Sequence, residues 1–95
     1  MENVNNFLSI FHLSSNVNDI FANQYSYWFA FILFTRFIRD GATIMFCSSK
    51  EHFGTMILER VYDITGDVTN LYEWIPWNNV DDDLKKYIIN KYIMI

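Results

Sequence analysis

Residues 25–41 are the most apolar and most aromatic part of this 95-residue chain. Every residue from 27 to 34 is apolar or aromatic, which is typical of a helix that is buried on all sides. Asn23 is suited to cap such a helix at its start, and Gly41 is suited to a left-handed cap at its end. We therefore predict a buried central helix over residues 24–40 that the rest of the chain must surround.

The composition predicts one folded domain over residues 1–95, since 52% of the residues are hydrophobic and 19% are aromatic. The formal net charge is −4, and the seven basic residues are scattered. Binding to nucleic acid through phosphate contacts needs clustered Lys and Arg, so we expect no direct nucleic-acid partner. An acidic surface of this kind leaves a basic protein partner open.

The single cysteine, Cys47, excludes an internal disulfide and a cysteine-based zinc site, which favours a reducing compartment. The longest apolar run is shorter than the roughly 20 residues that cross a bilayer, and no signal-peptide pattern opens the chain. His12 and His52 lack the spacing of a metal site. We expect a cytoplasmic protein without a metal, a cofactor or a membrane partner.

The flanking patterns predict two more helices. Residues 2–13 place apolar side chains along one face, and a loop follows at residues 14–19. Either Asn79 or Asp81 can cap a last helix, in which the inward stripe comprises Leu84, Tyr87, Ile88 and Tyr92.

Three short runs between these helices predict strands at residues 42–47, 52–59 and 60–65, with the last two meeting at a turn near Glu59 and Arg60. Residues 67–77 are an aromatic segment that lies over the sheet or beside a site. The fold class is therefore α+β: a buried central helix on a small three-stranded antiparallel sheet, with N- and C-terminal helices.

Three polar residues fall in an order that suits nucleophilic catalysis. Ser26 lies in the first turn of the central helix, His52 begins a strand, and Asp63 lies in the next strand. Such chemistry needs a nucleophile, an imidazole base and a group that orients the imidazole. Each residue also has a structural interpretation: Ser26 suits a first helical turn, His52 suits a strand, and Asp63 can be solvated or paired. Cys47 is a buried core residue or, alternatively, a nucleophile.

The motifs Ser-Tyr-Trp-Phe-Ala at residues 26–30, Glu-His-Phe at 51–53 and Tyr-Asp-Ile-Thr-Gly-Asp-Val-Thr at 62–69 resemble a family of small phage and bacterial proteins. That family is related to the papain-like, NlpC/P60-type cysteine peptidase fold. The resemblance implies Ser26 as nucleophile, His52 as base and Asp63 or Asp67 as the orienting acid. The family has Cys where this chain has Ser26, and a serine without further activation is a poor nucleophile. Either the activity is lost, or the serine was introduced to disarm the protein.

Two functions follow from these observations. The first is a hydrolase or acyl-transfer site, acting on an amide or thioester in a peptide-like substrate, with Ser26 in place of Cys. The alternative is a small acidic phage-encoded protein that inhibits a host factor, such as a host-defence protein, by binding it in the host cytoplasm. The aromatic content and the apolar residues 93–95 are also compatible with a homodimer.

Overall fold

The computed structural model describes residues 3–11 and 25–93. The predicted loop at residues 14–19, His12 and Asn23 lie outside these ranges. In chain order the elements are α1 (Val4–Phe11), α2 (Ser26–Arg36), β1 (Thr43–Cys47), β2 (His52–Ile57), β3 (Arg60–Asp63), β4 (Gly66–Asp67), β5 (Ile75–Pro76) and α3 (Asp82–Ile88). Short 3-10 turns follow α2 and β5 at Ile38–Asp40 and Trp77–Asn79, and a π-helical turn, Ile89–Ile93, extends α3.

The α+β class is confirmed, but the sheet is larger than predicted. It has five strands in the order β4-β3-β2-β1-β5, and every neighbouring pair is antiparallel. The prediction of three strands was wrong because the two edge strands, β4 and β5, are only two residues long. Gly-Asp and Ile-Pro carry no strand signal, since Gly, Asp and Pro are all depleted in strands.

Helix α2 packs across β2, which is the middle strand of the sheet. Phe29, Ala30 and Leu33 are almost completely buried, in core clusters that include Phe53 and Ile57 of β2 and apolar residues of α1. The outer face of α2 is only partly covered by the described residues, since 41% of Trp28 and 45% of Phe31 are exposed. The prediction of a helix buried on all sides was therefore wrong: an apolar sequence shows that a helix can be buried, but the neighbouring elements decide which face is.

The end of α2 is more irregular than predicted. The α-helix ends at Arg36, and the predicted range beyond it becomes the 3-10 turn Ile38–Asp40. Gly41 does adopt the left-handed conformation, with φ of 76°, and its N–H bonds to the carbonyl of Ile38. Glycine is the residue that tolerates this φ. The start of the helix also differs from the prediction, because α2 begins at Ser26 and its N-cap position is occupied by Tyr25, which makes no side-chain cap hydrogen bond, and not by Asn23.

The turn between β2 and β3 lies one residue earlier than predicted, at Leu58 and Glu59. Both residues have positive φ, 50° and 71°, as a two-residue turn of type I′ requires. The turn is flanked by the pair Ile57 and Arg60. Because Asn and Gly normally occupy such a turn, Leu-Glu gave no signal for its position.

Asp81, and not Asn79, caps α3. Its Oδ2 accepts hydrogen bonds from the backbone N–H groups of Asp83 at 3.1 Å and Leu84 at 3.4 Å. Ile88 is completely buried as predicted, whereas 51% of Tyr87 is exposed, so Tyr87 does not belong to the inward stripe. None of the helices described is long and apolar enough to cross a membrane.

Candidate functional site

The site is centred on a buried pair formed by His52 and Asp63. The antiparallel register of β2 and β3 places the two side chains diagonally on the same face of the sheet. His52 Nε2 lies 2.8 Å from Asp63 Oδ2. Only 7% of His52 and 5% of Asp63 are exposed. A buried imidazole and a carboxylate in direct contact satisfy each other and fix the orientation of the ring.

Thr65 holds the second oxygen of Asp63. Its backbone N–H and its hydroxyl both donate to Asp63 Oδ1, at 2.8 and 2.5 Å. Burial acts to raise the pKa of Asp63, but the hydrogen bonds from His52 and from Thr65 outweigh it and hold this pKa below its ordinary value. Asp63 is therefore a carboxylate at neutral pH, and His52 Nε2 donates the proton that the two atoms share.

Two aromatic side chains cover the imidazole. The ring of Tyr72 lies 5.3 Å from that of His52, and the ring of Trp74 lies 5.9 Å from it. Trp74 is held by a hydrogen bond of 3.1 Å from its Nε1 to the carbonyl of Val68. The predicted aromatic segment thus lies both over the sheet and beside the site.

Gly54 allows Trp74 to approach the sheet this closely. A Cβ at this position would lie 3.0 Å from Trp74 Cη2 and 2.8 Å from Val61 Cγ1. Any larger residue would displace one of these side chains. Gly54 is two residues after His52 on the same strand face, so its missing side chain makes room for the aromatic cover.

Ser26 lies in the first turn of α2, and 4% of it is exposed. Its Oγ accepts a hydrogen bond of 3.1 Å from the backbone N–H of Phe53. Only the bonds C–N and Cα–C separate that nitrogen from the Cα of His52, so Ser26 Oγ lies within about 6 Å of this Cα. Within the described ranges, no hydrogen bond joins Ser26 directly to His52.

Asp67 lies away from the His52 ring, in a separate exposed cluster. It accepts a hydrogen bond of 2.8 Å from Arg60 Nε, and its other oxygen accepts from the N–H and hydroxyl of Thr69. The hydrogen bond from Arg60, followed by those from Thr69, lowers the pKa of Asp67 to about 2. Of the two candidates for the group that orients His52, Asp63 is the one in contact with it.

Cys47 is the register partner of His52 on β1 and is buried. Its Sγ lies 3.4 Å from the hydroxyl of Ser49. In the part of the chain that the structure describes, no three His, Cys, Asp or Glu residues form a cluster able to hold a metal ion.

Two groups that hold site residues were not predicted from the sequence. They are the backbone N–H of Phe53, which binds Ser26, and Thr65, which binds Asp63. Threonine two residues after aspartate is a recognisable turn signal, so Thr65 could have been found. The donor at Phe53 could not have been identified, because every residue other than proline carries an N–H and the sequence does not show which one binds Ser26.

Together these contacts define an α+β protein in which a helix N-terminus meets a strand that carries a buried His–Asp pair. The helix dipole favours negative charge at Ser26. Comparisons of the chain with protein-family models, with curated proteins and with solved structures found no match.

Proposed function

We propose that this chain carries a papain-like hydrolase or acyl-transfer site in which Ser26 occupies the position of a cysteine nucleophile. The observation that carries the proposal is the 2.8 Å contact between His52 Nε2 and Asp63 Oδ2, one residue from the N–H that binds Ser26 Oγ. With Nε2 donating to Asp63, the other nitrogen, Nδ1, is left as the base. It has no hydrogen-bond partner among the described residues.

The reaction class follows from these groups. A nucleophile at position 26 would attack the carbonyl carbon of an amide or thioester in a peptide-like substrate. His52 would take the proton of this nucleophile only after its ring turned to the α2 side of β2, because in the structure the ring lies on the opposite side, with Tyr72 and Trp74. Asp63 would keep the imidazole in the tautomer with the proton on Nε2. The collapse of the tetrahedral intermediate would return that proton from His52 to the leaving amine or thiol.

Serine makes this a disarmed form of the site. A hydroxyl has a pKa far above that of a thiol. Among the described residues no direct hydrogen bond to His52 activates it, because Ser26 lies on the α2 side of β2 and the His52 ring lies on the other side. The N–H of Phe53 already donates to Ser26 Oγ, so the position is arranged to stabilise negative charge on a nucleophile. This donor would stabilise a thiolate much more than it stabilises a neutral hydroxyl.

The test restores the thiol. In the Ser26→Cys variant with Cys47→Ala to remove the native thiol, we expect alkylation by iodoacetamide at pH 6 to be faster than that of free cysteine. A thiol near a helix N-terminus and an imidazole has a lowered pKa and is more fully ionised at this pH. Peptide mass spectrometry confirms that the label is at position 26.

His52→Gln and Asp63→Asn in the same background serve as controls, and both should slow the reaction. If the introduced thiol reacts no faster than free cysteine and is insensitive to both changes, the proposed site does not exist. If it is activated, amide and thioester substrates are the next to be screened.

The second candidate is a binding protein that inhibits a host factor. It is favoured by the burial of Ser26 and His52 together with the exposure of Trp28 and Phe31 on the outer face of α2. Large exposed aromatic side chains are common at the centre of protein interfaces. In this case the partner protein binds the outer face of α2, and the His52–Asp63 pair has a structural role only.

This candidate is tested by affinity capture from host lysate, with the recovered protein confirmed by binding in purified form. Trp28→Ala with Phe31→Ala should abolish that binding, whereas Ser26→Ala should leave it unchanged. The opposite pattern, loss with Ser26→Ala alone, would support the catalytic proposal.

A further inference from the structure

Glu51 immediately precedes His52 and is held by residues that are distant in sequence. Its backbone has a φ of 49°, a left-handed conformation that non-glycine residues rarely adopt. Its Oε1 accepts a hydrogen bond of 2.6 Å from the hydroxyl of Tyr92 and one of 2.8 Å from Lys91 Nζ. A conformation of this kind persists only where surrounding contacts hold it.

The two donors lie in the π-helical turn that extends α3. Lys91 Nζ is 3.2 Å from the hydroxyl of Tyr87 and lies over the rings of Tyr87 and Tyr92, 5.4 and 5.1 Å from their centroids. Tyr92 also packs against the buried cluster that contains Phe53. The π-helical turn therefore binds Glu51, the residue before His52. It also packs on the core cluster that contains Phe53, the residue after His52.

The charges of this cluster favour the contact. Hydrogen bonds from Lys91 and then Tyr92 lower the pKa of Glu51, and the hydrogen bond to Glu51 raises the pKa of Tyr92. At neutral pH, Glu51 is therefore a carboxylate and Tyr92 keeps the proton that it donates. We name these residues, Glu51, Tyr87, Lys91 and Tyr92, the C-terminal clamp.

The position of the clamp connects it with the site. Cys47 and His52 are the last pair of the β1–β2 ladder, and Glu51 closes the loop between them. The loop geometry therefore sets where β2 begins and how His52 is presented to Asp63. We propose that Lys91 and Tyr92 are positioning residues that act through Glu51 on the orientation of the His52 ring. The catalytic consequence of this inference rests on the proposed function, but the orientation of the ring does not.

The first experiment measures the ring itself in the native chain. Ring ¹⁵N resonances of His52, assigned by comparison with His52→Gln, report the tautomer and the hydrogen bond at Nε2. We expect Lys91→Met and Tyr92→Phe to shift these resonances and to speed exchange of the Nε2 proton about fivefold, the ratio that corresponds to one hydrogen bond of ordinary net strength.

Lys91→Arg should restore the native resonances, because arginine can also donate to Glu51. Lys86→Met is the matched control: Lys86 is exposed, lies in α3 and makes no hydrogen bond to Glu51 within the described ranges. Unchanged His52 resonances in folded Lys91→Met and Tyr92→Phe proteins would overturn the inference.

The second experiment uses the thiol restored by Ser26→Cys with Cys47→Ala. Lys91→Met should lower its alkylation rate about fivefold at pH 6 and bring its pH profile closer to that of free cysteine. If the His52 resonances move but the parent thiol is not activated, the clamp stands and the proposed function fails. If the parent thiol is activated and Lys91→Met changes neither readout, the function stands and the clamp fails.

Discussion

Ser26 shows how one residue can carry a structural and a chemical role at the same position. Its hydroxyl satisfies the N–H of Phe53, which would otherwise be a buried donor without a partner. The same contact would stabilise a nucleophile after replacement by cysteine. Burial and hydrogen bonding therefore do not distinguish the structural role from the chemical role. The reactivity of a thiol introduced at this position distinguishes them.

Thr55 provides the test of side-chain hydrogen bonding between α2 and the sheet. Its Oγ1 donates to the carbonyl of Ala30 at 2.7 Å, and its side chain is completely buried. Thr55→Val keeps the shape but removes this bond, so we expect the free energy of unfolding in urea to fall by about 1 kcal/mol.

Thr35→Val is the matched control. Thr35 donates to the carbonyl of Phe31 at 2.9 Å, but on the exposed side of the same helix. Its replacement should change the free energy of unfolding by less than about 0.5 kcal/mol. Equal effects of the two substitutions would show that the Thr55 bond adds nothing to the packing of α2 on the sheet.

At the scale of the element, β2 is the central strand, and its two faces contact different parts of the molecule. Phe53 and Thr55 face α2: Phe53 belongs to the core cluster that contains Ala30, and Thr55 donates to the carbonyl of Ala30. His52 and Gly54 face the other side, where the aromatic segment lies. The period of two in a strand thus separates the packing function of β2 from its chemical function.

The hairpin that follows β2 is an element with an unfavourable turn sequence. Leu58 and Glu59 both have positive φ, and 60% of Leu58 is exposed, so its replacement would lose little burial. Leu58→Asn with Glu59→Gly supplies the residues that a type I′ turn prefers. We expect the free energy of unfolding to rise by about 1 kcal/mol.

Glu73→Gly serves as the control, since Glu73 is exposed but is not among the residues with positive φ. There the added backbone freedom of glycine should lower the stability. A turn variant that is no more stable than the native chain in urea would contradict the assignment of strain to Leu58 and Glu59.

At the scale of the whole molecule, stability at low pH depends on carboxylates whose pKa is lowered by folding. Asp63 has a folded-state pKa below its ordinary value of 3.8, and Asp67 has one of about 2. A group of this kind stabilises the fold above its unfolded pKa, and the contribution is lost as the pH falls through the folded pKa. We therefore expect the stability to fall as the pH is lowered from about 4 to 2.

The Asp63→Asn variant separates the contribution of the buried His52–Asp63 pair to acid stability from that of the exposed Arg60–Asp67 pair. The difference between the free energies of unfolding at pH 5 and pH 2.5 should be smaller in this variant than in the native chain. Asp67→Asn should have a weaker effect in 0.5 M salt than in low salt, because its partner Arg60 is exposed and the pair is screened. An undiminished difference in Asp63→Asn would show that the His52–Asp63 contact does not contribute to acid stability.

Local signals in the sequence were sufficient for the class of the fold and for the order of its main elements. The apolar run placed α2, Asp81 is a good cap, and Gly41 suits its left-handed φ, because these preferences act within a few residues. His52 and Asp63 were named as partners from their order along the chain, and the structure brings them together. Their catalytic role stays a prediction.

Tertiary structure alone decided what depends on neighbours distant in sequence. The edge strands β4 and β5 exist because β3 and β1 offer unpaired backbone groups, not because Gly-Asp or Ile-Pro favours a strand. The exposed face of α2 and the choice of Asp63 over Asp67 likewise depend on which elements pack together. The contact of Glu51 with Lys91 joins residues 40 positions apart, and no local preference encodes such a pairing. Local physics thus determined the main elements, and the packing between them determined the edge strands and the site.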